Sequence, residues 1–114
     1  MITRTAIFEG RIRPGCEQRF MQEVRERLVP LWRRFPHASN VRLLPALEVD
    51  PEAPAIVMIQ QIDYPSRAAL AEALASPVRT EARAATLEIM QMFEGRFYHV
   101  VSDANALPTA PGPA

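Results

Sequence analysis

The feature that most constrains this chain is the order in which its hydrophobic period changes. Residues 3–12 alternate, with Ala6, Phe8 and Ile12 on one face and Thr5, Ile7, Glu9 and Arg11 on the other. A period of two with one apolar face is the signature of a half-buried strand. Pro14-Gly15 breaks it. Over residues 16–35 the period lengthens: Phe20, Val24, Leu28, Leu31 and Phe35 fall at helical spacing. Pro30 has no N–H and its ring clashes with the carbonyl of Glu26, so a kink or a second short helix is expected there. Residues 40–49 read as a strand that Pro45 confines to a sheet edge. Asp50-Pro51-Glu52-Ala53-Pro54 is a turn. Residues 55–62 (AIVMIQQI) are apolar on both faces at their start, which predicts a central strand.

Ser66 is positioned to cap a helix over residues 67–75. Ser76-Pro77 restarts it, with Ser as N-cap and Pro in the first turn. Val78, Ala82, Ala85, Ile89 and Phe93 form its apolar stripe, and Gly95 suits a C-terminal cap. Residues 96–102 are the last strand. The reading is one domain over residues 1–103, followed by a flexible Pro- and Ala-rich tail over 104–114. Strand–helix–strand–strand–helix–strand in about 100 residues is the split βαβ arrangement, an α+β fold. Right-handed crossovers put both helices on one face of a four-stranded antiparallel sheet, with the first and third strands central. The other face is then uncovered and keeps several large apolar side chains. A patch of that kind marks an interface, and a twofold pair is its commonest partner.

Charge and cysteine content narrow the function classes. The chain has 13 basic and 13 acidic residues, and every basic one is arginine. Nucleic-acid and membrane-surface binders draw affinity from concentrated positive charge, so neither partner is expected. One cysteine excludes an internal disulfide or a multi-cysteine zinc site. The N-terminal residues lack the apolar run of a signal peptide, and no run reaches the ~18 apolar residues of a membrane span. These features predict a cytoplasmic protein.

Two stretches carry a family likeness: Asp63-Tyr64-Pro65-Ser66-Arg67-Ala68-Ala69-Leu70 leading to Ala75-Ser76-Pro77, and Gly95-Arg96-Phe97-Tyr98-His99-Val100-Val101. They resemble the aromatic–Ser–x–x–Ala–Leu helix start, the Ser-Pro break and the closing strand of the dimeric α/β-barrel superfamily. In that superfamily two ferredoxin-like βαββαβ protomers face their sheets to make a barrel. Over residues 3–103 the chain is most similar to its EthD-like proteins and antibiotic-biosynthesis monooxygenases. The likeness implies a homodimer and a cofactor-free oxygenase, isomerase or cyclase acting on a small aromatic, lactone or polyketide-like compound. The chain departs from the pattern at Pro30, which follows Leu28-Val29 where many EthD-like chains have a His. It also lacks a placed axial His of the heme-degrading kind.

The candidate site residues are chosen by side-chain chemistry. His99 and Tyr98 in the last strand are the acid–base candidates. Trp32 and Tyr64 can wall an apolar pocket, with His37, Arg42 and Met58 as further ligand contacts. Each also has a plainer reading: core or interface for His99, Trp32, Tyr64 and Met58, a solvated loop for His37. Met21, Met90 and Met92 read as core fillers. Glu9 with Arg11, and Arg42 with Asp63, are expected to form salt links across a dimer rather than a substrate clamp. Cys16 lies near a helix start but has no adjacent His. Two His without supporting carboxylates predict no metal, and no cofactor is expected. Gly10-Arg11-Ile12-Arg13-Pro14-Gly15 faintly resembles the phosphate loop of acylphosphatases. Pro14 removes one N–H from such a nest, and the Asn-containing hairpin signature is missing. The alternative to an enzyme is a non-catalytic dimer that binds a small molecule or a partner protein in a catabolic or stress-response pathway.

Overall fold

The computed structural model describes residues 1–105; the expected tail lies outside the described residues from 106 onward. The elements are β1 (Ile2–Ile12), α1 (Glu17–Glu23), a π-helical turn (Val24–Leu28), α2 (Val29–Arg33), β2 (Ser39–Pro45), β3 (Ile56–Tyr64), α3 (Arg67–Leu74), α4 (Pro77–Ile89), a 3₁₀ turn (Met90–Met92) and β4 (Phe93–Asp103). The strands form one antiparallel sheet in the order β2-β3-β1-β4. The first and third strands are central, as their apolar content predicts, and the proline-bearing β2 is an edge that ends at Pro45.

The first helix answers Pro30 upstream of it. Val29 donates its N–H to the Val24 carbonyl, five residues back instead of four. The helix is wider there, and Pro30 then sits in the first turn of α2, where a missing N–H is harmless. The wide turn also sets the phase of α2. Steps of four residues overshoot an α-helical face by about 40° each, and the π turn takes that drift back. Phe20, Val24, Leu28 and Trp32 therefore all reach the core, and Trp32 takes the place expected of Leu31.

The second helical pair is capped as its sequence foretells. Ser66 Oγ accepts from the Ala69 N–H at 3.1 Å, and Ser76 Oγ from the Arg79 N–H at 3.3 Å. Ala82, Ala85 and Ile89 of α4 pack on the sheet. The rings of Phe8, Phe93, Phe97 and Phe20 form a continuous aromatic stack through the core, with centroids 5.5–6.4 Å apart.

Gly95 is not the helix cap expected of it. It lies inside β4, directly opposite Gly10 of β1. Gly10 has a φ of 137° and Gly95 a φ of 145°. A Cβ on Gly10 would stand 2.1 Å from the Glu94 carbonyl oxygen, and one on Gly95 equally close to that of Glu9. Only glycine permits such backbone approach at such φ values. The pair lies within an unbroken register of β1 and β4 that runs to Ile12 opposite Phe93, so the last strand begins at Phe93, earlier than alternation alone suggests.

Register sorts the side chains of the sheet. Arg4, Ala6 and Phe8 of β1 lie beside Ile62, Gln60 and Met58 of β3 and Val101, His99 and Phe97 of β4 on the face that carries the helices. Thr5 and Ile7 lie beside Gln61 and Ile59, and Val100 and Tyr98, on the bare face. The charges of that face are matched within the chain. Glu9 meets Arg96 at 2.7 Å, Arg11 meets Glu94 at 2.7 Å, and Arg42 meets Asp63 at 3.1 Å. The cross-dimer salt links expected of Glu9, Arg11, Arg42 and Asp63 are thus replaced by intrachain ones, because neighbouring strands already place opposite charges side by side. Burial alone pushes the Asp63 carboxyl up. Hydrogen bonds from Arg42, Thr3 and Asn40 outweigh it and hold the group below the usual carboxylate range.

Gly10→Ala and Gly95→Ala should each lower stability by at least about 2 kcal/mol in urea unfolding, through backbone collision and strain. The Gly15→Ala control, whose Cβ would meet nothing within 4 Å, should cost less. Equal losses for all three would show that the glycine pair does not constrain the strand crossing.

Candidate functional site

A cleft opens between the helix face of the sheet and the helices. Arg4 of β1, Gln60 of β3 and Phe97 and His99 of β4 form its floor. Trp32 at the end of α2, and Phe35 just beyond it, form one wall; Arg79, Ala82, Arg83 and Thr86 of α4 form the other. It encloses about 410 Å³ of atom-free space including its open mouth, and a whole water fits in only about 50 Å³ of that. The rest of the space between sheet and helices is filled by the hydrophobic core, of which the aromatic stack is part.

Each lining side chain is placed by a simple spacing rule. His99 and Phe97 are two apart on β4 and share a face, with their rings edge-to-face at 5.9 Å. Arg79, Arg83 and Thr86 recur along one side of α4 at steps of four and three. Thr86 Oγ1 donates to the Ala82 carbonyl at 2.7 Å, so its proton is already used. Gln60 is 6% exposed. Its amide finds no hydrogen-bond partner among the described residues and borders the cleft.

The electrostatics of the cleft are one-sided. Arg4, Arg79 and Arg83 have no salt-bridge partner among the described residues, and no carboxylate lines the cleft. Burial lowers the Arg4 pKa, and the charge of Arg79 adds to this against an opposing effect of Tyr64. Like charges four apart on a helix cost about 0.2–0.5 kcal/mol, so Arg79 and Arg83 work against folding. Burial, followed by the charges of Arg4, Arg79 and Arg83, pushes the His99 imidazole down from 6.5 to about 4. Much of His99 still touches solvent, so the three like charges secure the direction of the shift along with the covered side of the ring. At neutral pH His99 is uncharged, with one nitrogen to donate and one to accept.

The residues singled out from sequence divide between the cleft and other places. His99 and Trp32 come together in it. Tyr98 is next to His99 in the strand and therefore projects from the opposite face, where the Arg96 guanidinium lies 5.1 Å from its ring centroid. Arg42 is on the bare face too, engaged by Gln61 and Asp63. Met58 and Tyr64 are fully buried in the core, and the Tyr64 hydroxyl has no partner among the described residues. His37 is in the α2–β2 loop with φ 64°, and its Nε2 is 2.6 Å from Glu72 Oε2 of α3. Cys16 sits at the N-cap of α1 and makes no side-chain cap bond. Sequence reasoning missed the arginines and Gln60. The signals were present: Arg4 stands in the apolar register of Ala6 and Phe8, and Arg79 and Arg83 are like charges one turn apart. Among the described residues no group of three or more His, Cys, Asp or Glu is placed to hold a metal, and no helix is long and apolar enough to cross a membrane.

The His99 shift has a sign that stability measurements can read. The unfolded imidazole takes its proton near 6.5, the folded one only near 4. The unfolded state therefore binds more protons across that window, and stability falls as pH drops through it. Thermal midpoints should decline from pH 6.5 towards 4, and His99→Gln should flatten that decline. The Asp63 contribution is lost only below about 3.8, its ordinary value. An unchanged slope in His99→Gln would show that the imidazole titrates normally.

No family model matches the sequence, and no curated protein matches it. Solved structures do. An ethyl tert-butyl ether D (EthD) family protein from Bacillus halodurans aligns with a TM-score of 0.69 at 16% identity, over 90% of this chain and 97% of that one. An antibiotic biosynthesis monooxygenase aligns at 0.62 and 23% identity, over 95% of this chain and 100% of that one. SnoaB, a cofactor-independent oxygenase from Streptomyces nogalater, aligns at 0.63 and 16% identity, over 96% and 97%. At these identities the likeness is one of architecture: the chain has the ferredoxin-like βαββαβ fold on which EthD-family and antibiotic biosynthesis monooxygenase proteins are built.

Proposed function

We propose that the chain is a homodimeric small-molecule enzyme whose reaction takes place in the His99 cleft. The reaction is cofactor-free oxygenation, isomerisation or cyclisation of a small aromatic, lactone or polyketide-like compound. The observation that carries this reading is the meeting of a neutral imidazole, His99, with aromatic walls from Trp32, Phe35 and Phe97 in one cleft. The fold neighbours support it, since one of them is a cofactor-independent oxygenase.

The three reaction classes share a first step that this cleft is equipped to assist. A proton leaves an activated carbon or hydroxyl, and a delocalised anion remains. His99 can accept that proton, and the guanidinium groups of Arg4, Arg79 and Arg83 lie where negative charge develops. The anion in turn favours the protonated imidazole and draws its pKa back towards neutrality. Trp32 and Phe97 hold a flat substrate against the sheet and keep water from one side of it.

The homodimer reading rests on the bare face. Leu44 is 44% exposed and Val100 46%, and Ile7, Ile59 and Tyr98 lie in register between them. The charges on this face are already paired within the chain, so covering it does not strand them. A second reading, a dimer that binds its ligand without turnover, is favoured by one observation: a base titrating near 4 is weak at neutral pH.

Turnover of a panel of aromatic and lactone compounds should fall about 10²-fold or more in His99→Ala. Tyr98→Phe, on the other face, should leave it intact. Binding with no turnover in the wild type selects the second reading, and undiminished turnover in His99→Ala removes the assigned base. Sedimentation should show a particle of about twice 12.8 kDa, and Val100→Glu combined with Ile59→Lys should halve it. A wild-type monomer at micromolar concentration would overturn the dimer.

A further inference from the structure

The charge pattern of the cleft says more than that it binds something small. The chain balances 13 basic against 13 acidic residues; outside the cleft Arg11, Arg13, Arg19, Arg27, Arg42 and Arg96 each meet a carboxylate, and Arg25, Arg33, Arg34 and Arg67, which meet none among the described residues, do not line it. Arg4, Arg79 and Arg83 have no such match among the described residues, and they converge from two elements on the same opening. Arg4 stands on the helix face of a central strand, between Ile62 and Val101. An apolar residue there would fold more readily. The other elements at the cleft offer nothing to neutralise this charge. Trp32 belongs to α2 and Phe35 follows it, Gln60 comes from β3, and β4 gives Phe97 and His99. Gln60, whose side-chain amide makes no hydrogen bond among the described residues, borders the same space.

We propose that the cleft binds the carboxylate of a small aromatic acid, held by Arg4, Arg79 and Arg83 with the Gln60 amide, its ring packed between Trp32, Phe35 and Phe97. This deepens the reading of the cleft as a small-molecule site and rests on it. Guanidinium forks match the two oxygens of a carboxylate, and the anion relieves the mutual repulsion of the three cations. The ring meets three aromatic faces or edges. His99, uncharged in the free protein, becomes easier to protonate once the anion is bound, because every charged group that faces it in the free cleft is cationic.

The test is titration of the full chain with benzoate and 1-naphthoate and with their uncharged amides, followed by calorimetry and by backbone NMR. The acids should bind at least tenfold more tightly than the amides, and more weakly as salt is raised. Arg79→Gln with Arg83→Gln should weaken acid binding at least tenfold while raising the melting temperature of the free protein, a combination that a purely structural role would not give. Arg4→Met should do the same. The His99 titration midpoint should move up from about 4 when 1-naphthoate is bound. Equal affinity for acid and amide, with both lost in Trp32→Ala, overturns the anion site and leaves the small-molecule cleft standing. Wild-type acid binding in the arginine variants also overturns it, as does displacement of 1-naphthoate by inorganic phosphate at lower concentration. Failure of every acid and amide to perturb residues of the cleft overturns both readings.

Discussion

The strand β1 is the constraint on which the rest of this structure depends. It is hydrogen-bonded along both edges, to β3 on one side and β4 on the other. A strand with two partners cannot slip by one residue without sending its own side chains to the wrong face and mismatching both neighbours. That parity puts Phe8 between Met58 and Phe97 in the core, and Ala6 between Gln60 and His99. Gln60 and His99, on either side of Ala6, both line the cleft. Everything the cleft can do depends on that row and on Arg4 in the next one.

Much of this is legible in the sequence because it depends on period and punctuation. Alternation names the strands, Pro45 sends β2 to an edge, and the two Ser caps locate the helix starts to the residue. The illegible part depends on choices that periodicity leaves open. Side-chain chemistry pairs Tyr98 and His99 as acid and base, yet neighbours in a strand cannot face one cavity. Gly95 fits a helix cap equally well by composition; only its partner Gly10, far away in the chain, makes it a strand residue. Trp32 and Leu31 are both acceptable core positions until the π turn fixes the phase. Arg42 and His37 are eligible as ligand contacts by chemistry, but nearby carboxylates claim them first.

Comparing the arginines with one another is more informative than counting them. Those on the bare face sit beside glutamates or an aspartate across one strand spacing, which satisfies each at short range and leaves the face suitable for covering. Those in the cleft lack such neighbours. The same side chain thus serves two ends in one molecule, and the difference lies in the residue placed opposite. The neutral state of His99 belongs partly to the same pattern, since burial first and then the three cations make the imidazole give up its proton readily.

The π turn has a consequence for how chain length can vary. A single wide turn in an otherwise α-helical stretch is what one additional residue produces when the helix on either side keeps its place. A chain one residue shorter between Val24 and Leu28 would carry Pro30 inside an unbroken α-helix, where its ring meets the carbonyl four residues back. The wide turn and Pro30 are thus a matched pair, and a deletion in this segment leaves the wall of the cleft in place only when the proline is replaced with it.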